Sequence, residues 1–295
     1  MYNIAVVGAG TMGNGIAHVF AQHGFSVRLT DLNEKQLEKA MSVISKNMDR
    51  QVQKGLLTEE EKTKAILRIQ PVLKLKEGIQ EADLIIEAAT ENEAVKLQIF
   101  REIDEFAPPE TILATNTSSI SITKIASVTK RPDQVIGMHF MNPVPLMKLV
   151  EVINGFATKP EVTEKIIELT RQIGKTPCVV NDYPGFIANR ILMPMINESI
   201  ISLQEGVASV ESIDTIMKLG MAHPMGPLQL ADFIGLDVCL AILKVLYEGF
   251  GNPKYAPAGM LVNMVASGNL GIKSGEGFYN YRNGSKELVV SSKFR

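Results

Sequence analysis

The stretch VVGAGTMGNG, which spans Val6–Gly15, decides the fold of the first half of the chain. Gly8, Gly10 and Gly13 within it fit the pattern G-x-G-x-x-G. The pattern follows a strand-like run and opens a helix-like segment, and Asp31 ends the next strand-like run 18 residues after Gly13. This context is typical of the phosphate-binding turn of a dinucleotide-binding βαβ unit, and a glycine turn without a ligand is the alternative.

The residues of this turn have separate tasks. Gly8 permits the tight turn, Gly10 lets a pyrophosphate approach the backbone, and Gly13 allows the next helix to pack closely, with its N-terminus facing the phosphate charge. Asp31 is expected to hydrogen-bond the adenosine ribose hydroxyls and to repel a 2′-phosphate, which favours NAD over NADP. The expected cofactor contacts around the turn are Gly8, Gly10, Thr11, Met12 and Gly13.

Short β-branched runs alternate with helix-like segments as far as about Asp182. The alternation predicts right-handed βαβ units and an α/β fold with a Rossmann-type, doubly wound, mostly parallel sheet. The strand candidates are Ile4–Gly8, Ser26–Asp31, Asp83–Ala88, Thr111–Thr115, Val135–Phe140, Leu149–Ile153 and Pro177–Val180.

Beyond Pro184-Gly185 the pattern changes to long helical periods. We therefore expect a nucleotide-binding domain at 1–182 and an all-α domain at 183–295. The helix candidates of the second domain are Phe186–Glu205, Val210–Leu219 and Leu236–Tyr247.

The composition is that of a soluble globular protein, with 45% hydrophobic and 21% charged residues. A formal net charge of −2 argues against a nucleic-acid partner. Apolar runs stay short of the ~18 residues that a membrane span needs, and a secretory leader is not evident, so we expect a cytoplasmic protein. Cys178 and Cys239 lie in apolar segments without metal-site spacing and are predicted to be buried thiols, and no metal site is expected.

Glu34–Lys54 reads as one long helix with a cationic stripe along one side. The stripe indicates a face for an anionic substrate, such as the phosphates of coenzyme A, or else a solvated helix face. Thr58 and Glu61 then form a capping-box pattern, so a helical hairpin is predicted at about 34–70. The stripe consists of Lys35, Lys39, Lys46, Arg50 and Lys54, opposite Leu37, Ala40, Met41, Ile44 and Met48.

Two further segments carry polar residues that are candidates for ligand contact. The turn ATNTSSI, at 114–120, comes after a strand, so its hydroxyls and amide are expected at the ligand-binding edge of the sheet, although ordinary turn chemistry is an equal alternative. Asn189 is a polar residue near the start of an apolar helix and is expected to reach a cleft or to serve the helix start.

His139 ends an apolar strand candidate, and Glu151 is the lone acid of the next one. An isolated histidine in an apolar run is often a core residue. A dehydrogenase, however, needs a group that takes a proton from an alcohol, and histidine does so near neutral pH. A carboxylate would orient the ring, and a buried Glu151 needs a partner, so the two residues are predicted to pair. His18, His23 and His223 are taken as structural.

Taken together, these motifs resemble the short-chain L-3-hydroxyacyl-CoA dehydrogenase family, especially its bacterial 3-hydroxybutyryl-CoA dehydrogenases. The resemblance covers essentially the whole chain. It is carried by GAGTMGNGIA, EAATEN, NTSSISIT, MHFMNPVPLMKLVEVI, DYPGFIANRIL, MGPLQLADFIGLD and GEGFYNY.

The resemblance implies roles for residues at matching positions. His139 and Glu151 correspond to the catalytic pair, and Ser118 and Asn189 to the substrate-binding serine and the cleft asparagine. Asn47 stands where relatives often carry a serine near coenzyme A, which puts only that contact in doubt. The implied nicotinamide-side contacts are Glu91, Lys96, Ser118 and Asn142, and the implied substrate contacts are Asn47, Lys54, Ser118 and Asn142.

The resemblance also implies an activity: the NAD-dependent interconversion of a short-chain L-3-hydroxyacyl-CoA and its 3-oxo form, by a homodimer. One alternative is an NAD dehydrogenase of a sugar acid such as gulonate, which would need no site for distant phosphates. Another is a crystallin-like relative that binds NAD without catalysis. The joint presence of Ser118, His139, Glu151 and Asn189 argues against that second alternative.

Overall fold

The computed structural model of the protein describes residues 2–282 and 288–295. The chain divides between Tyr183 and Pro184 into two compact units, each with its own hydrophobic core. The first unit holds an eight-stranded sheet with helices, and the second is mainly helical. The predicted fold class, a Rossmann-type sheet followed by a helical domain, is confirmed.

The sheet of the first unit has the order β3-β2-β1-β4-β5-β6-β7-β8, with strands β1 Asn3–Val7, β2 Ser26–Thr30, β3 Ile69–Val72, β4 Leu84–Glu87, β5 Ile112–Thr115, β6 Val135–Phe140, β7 Leu149–Asn154 and β8 Thr176–Asn181. Neighbouring strands are parallel except β6 and β7. The strand order reverses between β1 and β4, and in such sheets a crevice for ligands forms at the carboxyl ends of these strands.

Helices connect most of these strands: α1 Thr11–Gln22, α2 Glu34–Gln53, α3 Glu59–Leu67, α4 Leu75–Ile79, α5 Glu93–Phe106, α6 Ile122–Ala126 and α7 Pro160–Gln172. The start of α2 is fixed by Asn33, whose side chain accepts a hydrogen bond from the Lys35 N–H. The predicted capping box at the start of α3 is present, with Thr58 and Glu61 bonded reciprocally. Helices α2 and α3 thus form a hairpin between β2 and β3.

Strand β3, Ile69–Val72, is absent from the strand candidates. The helices of the hairpin, predicted at about 34–70, span Glu34–Leu67. The strand contains Pro71, which cannot donate a ladder hydrogen bond and therefore weakens the strand signal. Its position explains why proline is tolerated there, because β3 is the edge strand of the sheet and pairs with β2.

The second unit contains α8 Ala188–Gln204, α9 Val210–Gly220, α10 Pro227–Ile234, α11 Leu236–Phe250 and α12 Gly259–Ala266. It also contains a two-stranded sheet of β9 Tyr279–Asn280 and β10 Val289–Val290, which the sequence pattern did not indicate. Each strand is only two residues long, so no alternation of polar and apolar residues can reveal it.

The two cysteines differ in exposure. Cys239 is buried as predicted, but Cys178 is exposed, so the prediction for Cys178 is wrong. Cys178 lies on β8, the last strand of the sheet order, and an edge strand leaves part of its surface uncovered. None of the helices in the described ranges combines the length and the apolar character that crossing a membrane requires.

Candidate active site

The glycine turn between β1 and α1 fits a dinucleotide. Gly8 has a φ of +103°, and a β-carbon there would lie 2.6 Å from the carbonyl oxygen of Ala88. At Gly13 a β-carbon would lie 1.7 Å from the carbonyl oxygen of Gly8, so only glycine permits this packing. At Gly10, by contrast, no described atom lies within 4 Å of the β-carbon position. The turn is therefore closed towards the protein and open beside the first N–H groups of α1, as a bound pyrophosphate requires.

Asp31 follows β2 and is tied to the glycine turn. Its Oδ2 accepts a hydrogen bond from the Ala9 N–H at 2.9 Å, and its Oδ1 accepts one from the Asn33 N–H at 3.0 Å. Gln36 donates to the Ala9 carbonyl at 2.8 Å and braces the same turn. Each carboxylate oxygen can accept a second bond, so the predicted contact with ribose hydroxyls is compatible with this geometry.

His139 and Glu151 are brought together by the antiparallel pairing of β6 and β7. The two residues stand directly opposite each other in the register, so their side chains leave the sheet on the same face. His139 Nδ1 lies 2.7 Å from Glu151 Oε2, and the side chains are only 11% and 3% exposed. Because Nδ1 is bound to the carboxylate, Nε2 is the ring nitrogen that would meet a substrate.

Asn116 links this pair to the neighbouring strand β5. Its Oδ1 accepts a hydrogen bond at 2.9 Å from the N–H of Phe140, the residue after His139. Its own N–H donates to the Glu87 carbonyl at the end of β4. Hydrogen bonds of Asn116 therefore link the carboxyl ends of β4, β5 and β6 at the residue that follows His139.

Glu87 and Lys96 form a buried ion pair at the end of β4. The Lys96 ammonium lies 2.8 Å from both carboxylate oxygens, and the two side chains are 0% and 1% exposed. Glu87 also accepts hydrogen bonds of 2.8 Å from the Thr115 hydroxyl and from the Ala89 N–H. The same Lys96 ammonium also lies 3.5 Å from Glu91 Oε2. Direct contact of Lys96 with a cofactor stays a prediction.

Glu91 holds in place, by hydrogen bonds, the turn that carries Ser118. Its Oε1 accepts hydrogen bonds from the Ser118 N–H at 2.9 Å and hydroxyl at 3.2 Å, and from the hydroxyls of Thr117 at 2.6 Å and Ser119 at 3.0 Å. Burial acts to raise the pKa of Glu91, but the Lys96 charge and these hydrogen bonds outweigh it, so the pKa lies below its usual value. The Glu91 side chain is 40% exposed and can still meet a ligand.

The loop between β6 and β7 presents Asn142 at the surface and begins with a cis peptide bond from Asn142 to Pro143. The ammonium of the buried Lys175 donates to the carbonyls of Val144 and Met147, each at 2.6 Å. Burial lowers the pKa of Lys175. This lysine therefore fixes the loop that holds Asn142, a task that no feature of the sequence indicated.

The hairpin places Asn47 near that loop. Asn47 and Asn142 both line a cavity of about 200 Å³ beside the start of α1, together with Lys39. The cationic side of α2 is exposed, and its last member, Lys54, follows the end of the helix. The opposite side is buried as expected at Leu37, Ala40, Ile44 and Met48.

Asn189 lies in the second unit, in the first turn of α8, and is 9% exposed.

In the first unit, the structure brings together four sets of predicted residues. They are Asp31 with the glycine turn, His139 with Glu151, Glu91 with Lys96 and Ser118, and Asn47 with Asn142. Within the two ranges described, no cluster of three or more His, Cys, Asp or Glu side chains is arranged to hold a metal ion.

Comparison with protein-family models assigns both units of the chain to one family. Residues 3–183 match the NAD-binding domain of 3-hydroxyacyl-CoA dehydrogenase, and residues 185–281 match the C-terminal domain. The chain belongs to the 3-hydroxyacyl-CoA dehydrogenase family. The resemblance seen in the sequence is confirmed, and the cofactor of the family's first domain is NAD.

Close relatives share this assignment over nearly their whole length. A probable 3-hydroxybutyryl-CoA dehydrogenase of Bacillus subtilis is 53% identical over 278 residues, 94% of this chain and 96% of that one. The 3-hydroxybutyryl-CoA dehydrogenase of Clostridioides difficile is 48% identical over 94% of this chain and 99% of that protein. The crystal structure of (S)-3-hydroxybutyryl-CoA dehydrogenase from Ralstonia eutropha has a TM-score of 0.93 at 48% identity, covering 95% and 99% of the chains.

Several residues of this 3-hydroxyacyl-CoA dehydrogenase site were not singled out from the sequence. Glu87 carried a signal, since it is a lone acid at the end of an apolar run, as Glu151 is within its own strand. Thr115 lies in the segment ATNTSSI that the sequence did indicate, but nothing in the sequence pointed to Glu87 as its partner. Lys175 carried no signal, because a lysine before a strand is ordinary. Their importance lies in partners that are distant in sequence.

Proposed function

We propose that the protein interconverts (S)-3-hydroxybutyryl-CoA and acetoacetyl-CoA with NAD as cofactor. The observation that carries the proposal is the buried pair of His139 and Glu151, 2.7 Å apart, at the same sheet edge as the glycine turn. Relatives at 48–53% identity that are named for 3-hydroxybutyryl-CoA support the substrate.

His139 is the general base of this proposal. In the oxidative direction, its Nε2 takes the proton of the substrate hydroxyl, and in the reductive direction it returns that proton. Glu151 holds the ring through Nδ1, fixes the tautomer with the lone pair on Nε2, and stabilises the imidazolium that forms. Bound NAD supplies the hydride acceptor, or as NADH the donor, at its nicotinamide ring.

The remaining predicted residues bind and orient. Ser118 and Asn189 hydrogen-bond the reacting oxygen or the thioester carbonyl. Asn142 contacts cofactor and substrate from the loop after β6. Asn47 and Lys54 meet coenzyme A from the hairpin, where the exposed cationic stripe suits phosphates. Gly8, Gly10, Thr11, Met12, Gly13 and Asp31 hold the adenosine and pyrophosphate half of NAD, and Glu91, Lys96 and Ser118 act on the nicotinamide side.

The alternatives are less well supported. A sugar acid would not use the stripe that ends at Lys54, and the relatives at 48–53% identity are named for an acyl-CoA substrate. A purely structural NAD-binding protein would not need a histidine and a carboxylate buried together at the ligand edge of the sheet.

The assembly and the location belong to the same proposal. We infer a cytoplasmic homodimer that uses the helical unit. Large apolar side chains on α8, α9 and α10 stay exposed, among them Ile191 at 66%, Leu219 at 83% and Phe233 at 56%. Where such side chains form a contiguous patch, they mark protein interfaces. Sedimentation of the purified chain tests the dimer, and a monomer at micromolar concentration contradicts it.

The first experiment is turnover. Purified protein is mixed with acetoacetyl-CoA and NADH, and the loss of NADH absorbance is followed, with NADPH and with free acetoacetate as controls. We expect fast turnover with NADH and acetoacetyl-CoA only. No turnover, in a protein that still binds NADH, contradicts the substrate assignment. Equal turnover of free acetoacetate contradicts the role of the hairpin.

A further inference from the structure

The sheet topology indicates which half of a dinucleotide lies near Glu87. The strand order reverses between β1 and β4, and the pyrophosphate binds over the glycine turn at that point. Asp31 marks the adenosine side, because it follows β2. The nicotinamide half of a bound NAD would therefore lie over the ends of β4 and β5, where Glu87 and Thr115 stand opposite each other in the register.

Glu87 is the centre of the hydrogen-bond network in this wall. Its carboxylate takes four bonds of 2.8 Å: two from Lys96, one from the Thr115 hydroxyl and one from the Ala89 N–H. Four bonds fill the acceptor capacity of a carboxylate. Ala89 itself packs under the glycine turn, since a β-carbon at Gly8 would lie 2.8 Å from the Ala89 α-carbon. One buried side chain thus connects the floor of the glycine turn, β5 and α5.

The charges of this wall do not cancel. Glu87 and Glu91 carry one negative charge each and Lys96 carries one positive charge, so the three ionised side chains sum to −1. Lys96 lies 2.8 Å from Glu87 and 3.5 Å from Glu91 and is 1% exposed, so water screens the group poorly on that side. The nicotinamide ring carries one positive charge in NAD⁺ and none in NADH, so the wall attracts the oxidised ring more than the reduced ring.

We propose that Glu87 is a positioning residue that holds Lys96 and Glu91 in the nicotinamide wall and, by its charge, sets the relative affinity of the protein for NAD⁺ and NADH. The inference rests on the proposed function only for the side on which nicotinamide lies. Glu87 acts through the charge balance of the wall and through Lys96, and it need not touch the cofactor.

The test measures cofactor affinity without acyl-CoA. Dissociation constants of NAD⁺ and NADH are determined by calorimetry for the wild-type protein, for Glu87→Gln and for Thr115→Val. Glu87→Gln keeps the shape and brings the wall to zero net charge, so its NAD⁺ affinity should fall about tenfold more than its NADH affinity. Thr115→Val removes one hydrogen bond to Glu87 without changing the charge, and its ratio of the two constants should match that of the wild type.

A merely structural role would give a different result. If Glu87→Gln weakened both redox forms by the same factor, or if Thr115→Val moved the ratio as much as Glu87→Gln, the charge assignment would be overturned. If Glu87→Gln fails to fold, Glu91→Gln replaces it, because the Glu91 side chain is 40% exposed and its loss leaves the buried pair of Glu87 and Lys96 intact. That variant also brings the wall to zero net charge, so NAD⁺ affinity must fall more than NADH affinity, and no change in the ratio or the opposite change contradicts the proposal.

The two proposals fail separately. A wrong acyl-CoA assignment abolishes turnover in the wild-type protein but leaves both cofactor constants measurable. A wrong role for Glu87 leaves turnover of acetoacetyl-CoA intact in the wild-type protein and shows only in the ratio of the constants.

Discussion

Buried carboxylates in the two units are held by different partners. Glu87, in the first unit, takes the ammonium of Lys96 on both of its oxygens. Asp232, on α10 of the second unit and 1% exposed, accepts hydrogen bonds from the N–H groups of Phe278 and Tyr279 at 3.0 and 2.9 Å, and from the hydroxyl of Tyr281 at 3.1 Å. The first carboxylate holds a charged side chain at the proposed cofactor site, whereas the second anchors backbone.

Asp214 extends the second arrangement. It accepts hydrogen bonds of 2.9 Å from the N–H groups of Leu228 and Gln229 at the start of α10, and one of 2.8 Å from the Tyr279 hydroxyl. Together Asp214 and Asp232 fasten the segment around β9 to the helices. The two arrangements should therefore respond differently to substitution. Substitutions around Glu87 should change activity and ligand affinity, and substitutions of Asp214 or Asp232 should change stability.

The largest expected effect is on His139. His139→Gln keeps an N–H donor for Glu151 but has no group that accepts the substrate proton, so kcat should fall by about 10²–10⁴-fold. NADH affinity should stay near that of the wild type. Stopped-flow turnover and NADH titration check both expectations. A kcat close to the wild-type value would show that His139 is not the base.

The partner of His139 provides the control. In the double variant His139→Gln with Glu151→Gln, kcat should be no lower than in His139→Gln alone, because the carboxylate acts through the imidazole and groups that act as a unit are not additive. A further large loss in the double variant would mean that Glu151 acts on the substrate independently.

The second unit should respond through stability. Burial raises the pKa of Asp232 to about 6, and the Asp214 charge adds to that rise, against the N–H and hydroxyl bonds that lower it. Between about pH 4 and 6 the folded chain therefore binds a proton that the unfolded chain releases, so this residue makes the free energy of unfolding fall, by about 3 kcal/mol, as the pH rises through that window.

Asp232→Asn removes this titration. The unfolding free energy of the wild type minus that of the variant should fall by about 3 kcal/mol from pH 4 to 6.5 in urea titrations. Turnover by the folded variant should match that of the wild type, because Asp232 has no proposed ligand contact. Parallel pH dependence in the two proteins would contradict the raised pKa.

The contrast also explains what could be predicted from the sequence. The strands and the glycine turn are local patterns, so the Rossmann-type sheet was predictable, and β3 was missed because Pro71 interrupts a very short edge strand. The pairing of His139 and Glu151 was predictable because each is a lone polar residue in an apolar run. The partners of Glu87 were not predictable, because Lys96 and Thr115 reach it through the tertiary fold. The loop carbonyls that Lys175 binds have no sequence signal at all.

Asp31 sharpens the comparison because it combines features of both units. Like Asp232 it accepts hydrogen bonds from two backbone N–H groups, those of Ala9 and Asn33, but it lies at the ligand edge of the first sheet. If location decides the response, Asp31→Ala should mainly weaken NAD⁺ binding, by about tenfold for the loss of charge-assisted hydrogen bonds to ribose. It should also reduce discrimination against NADP⁺, because the charge that repels a 2′-phosphate is gone.

Glu34→Ala is the matched control, since it removes an exposed acid at the start of α2 without touching the glycine turn. The measurement is the ratio of kcat/KM for NADH and NADPH in both variants, with the unfolding temperature recorded beside it. A ratio that stays at the wild-type value in Asp31→Ala, with a large fall in unfolding temperature, would place Asp31 with Asp232 as an anchor of the backbone. In that case the bonding pattern, and not the sheet edge, would decide what a carboxylate bound to backbone N–H groups does in this protein.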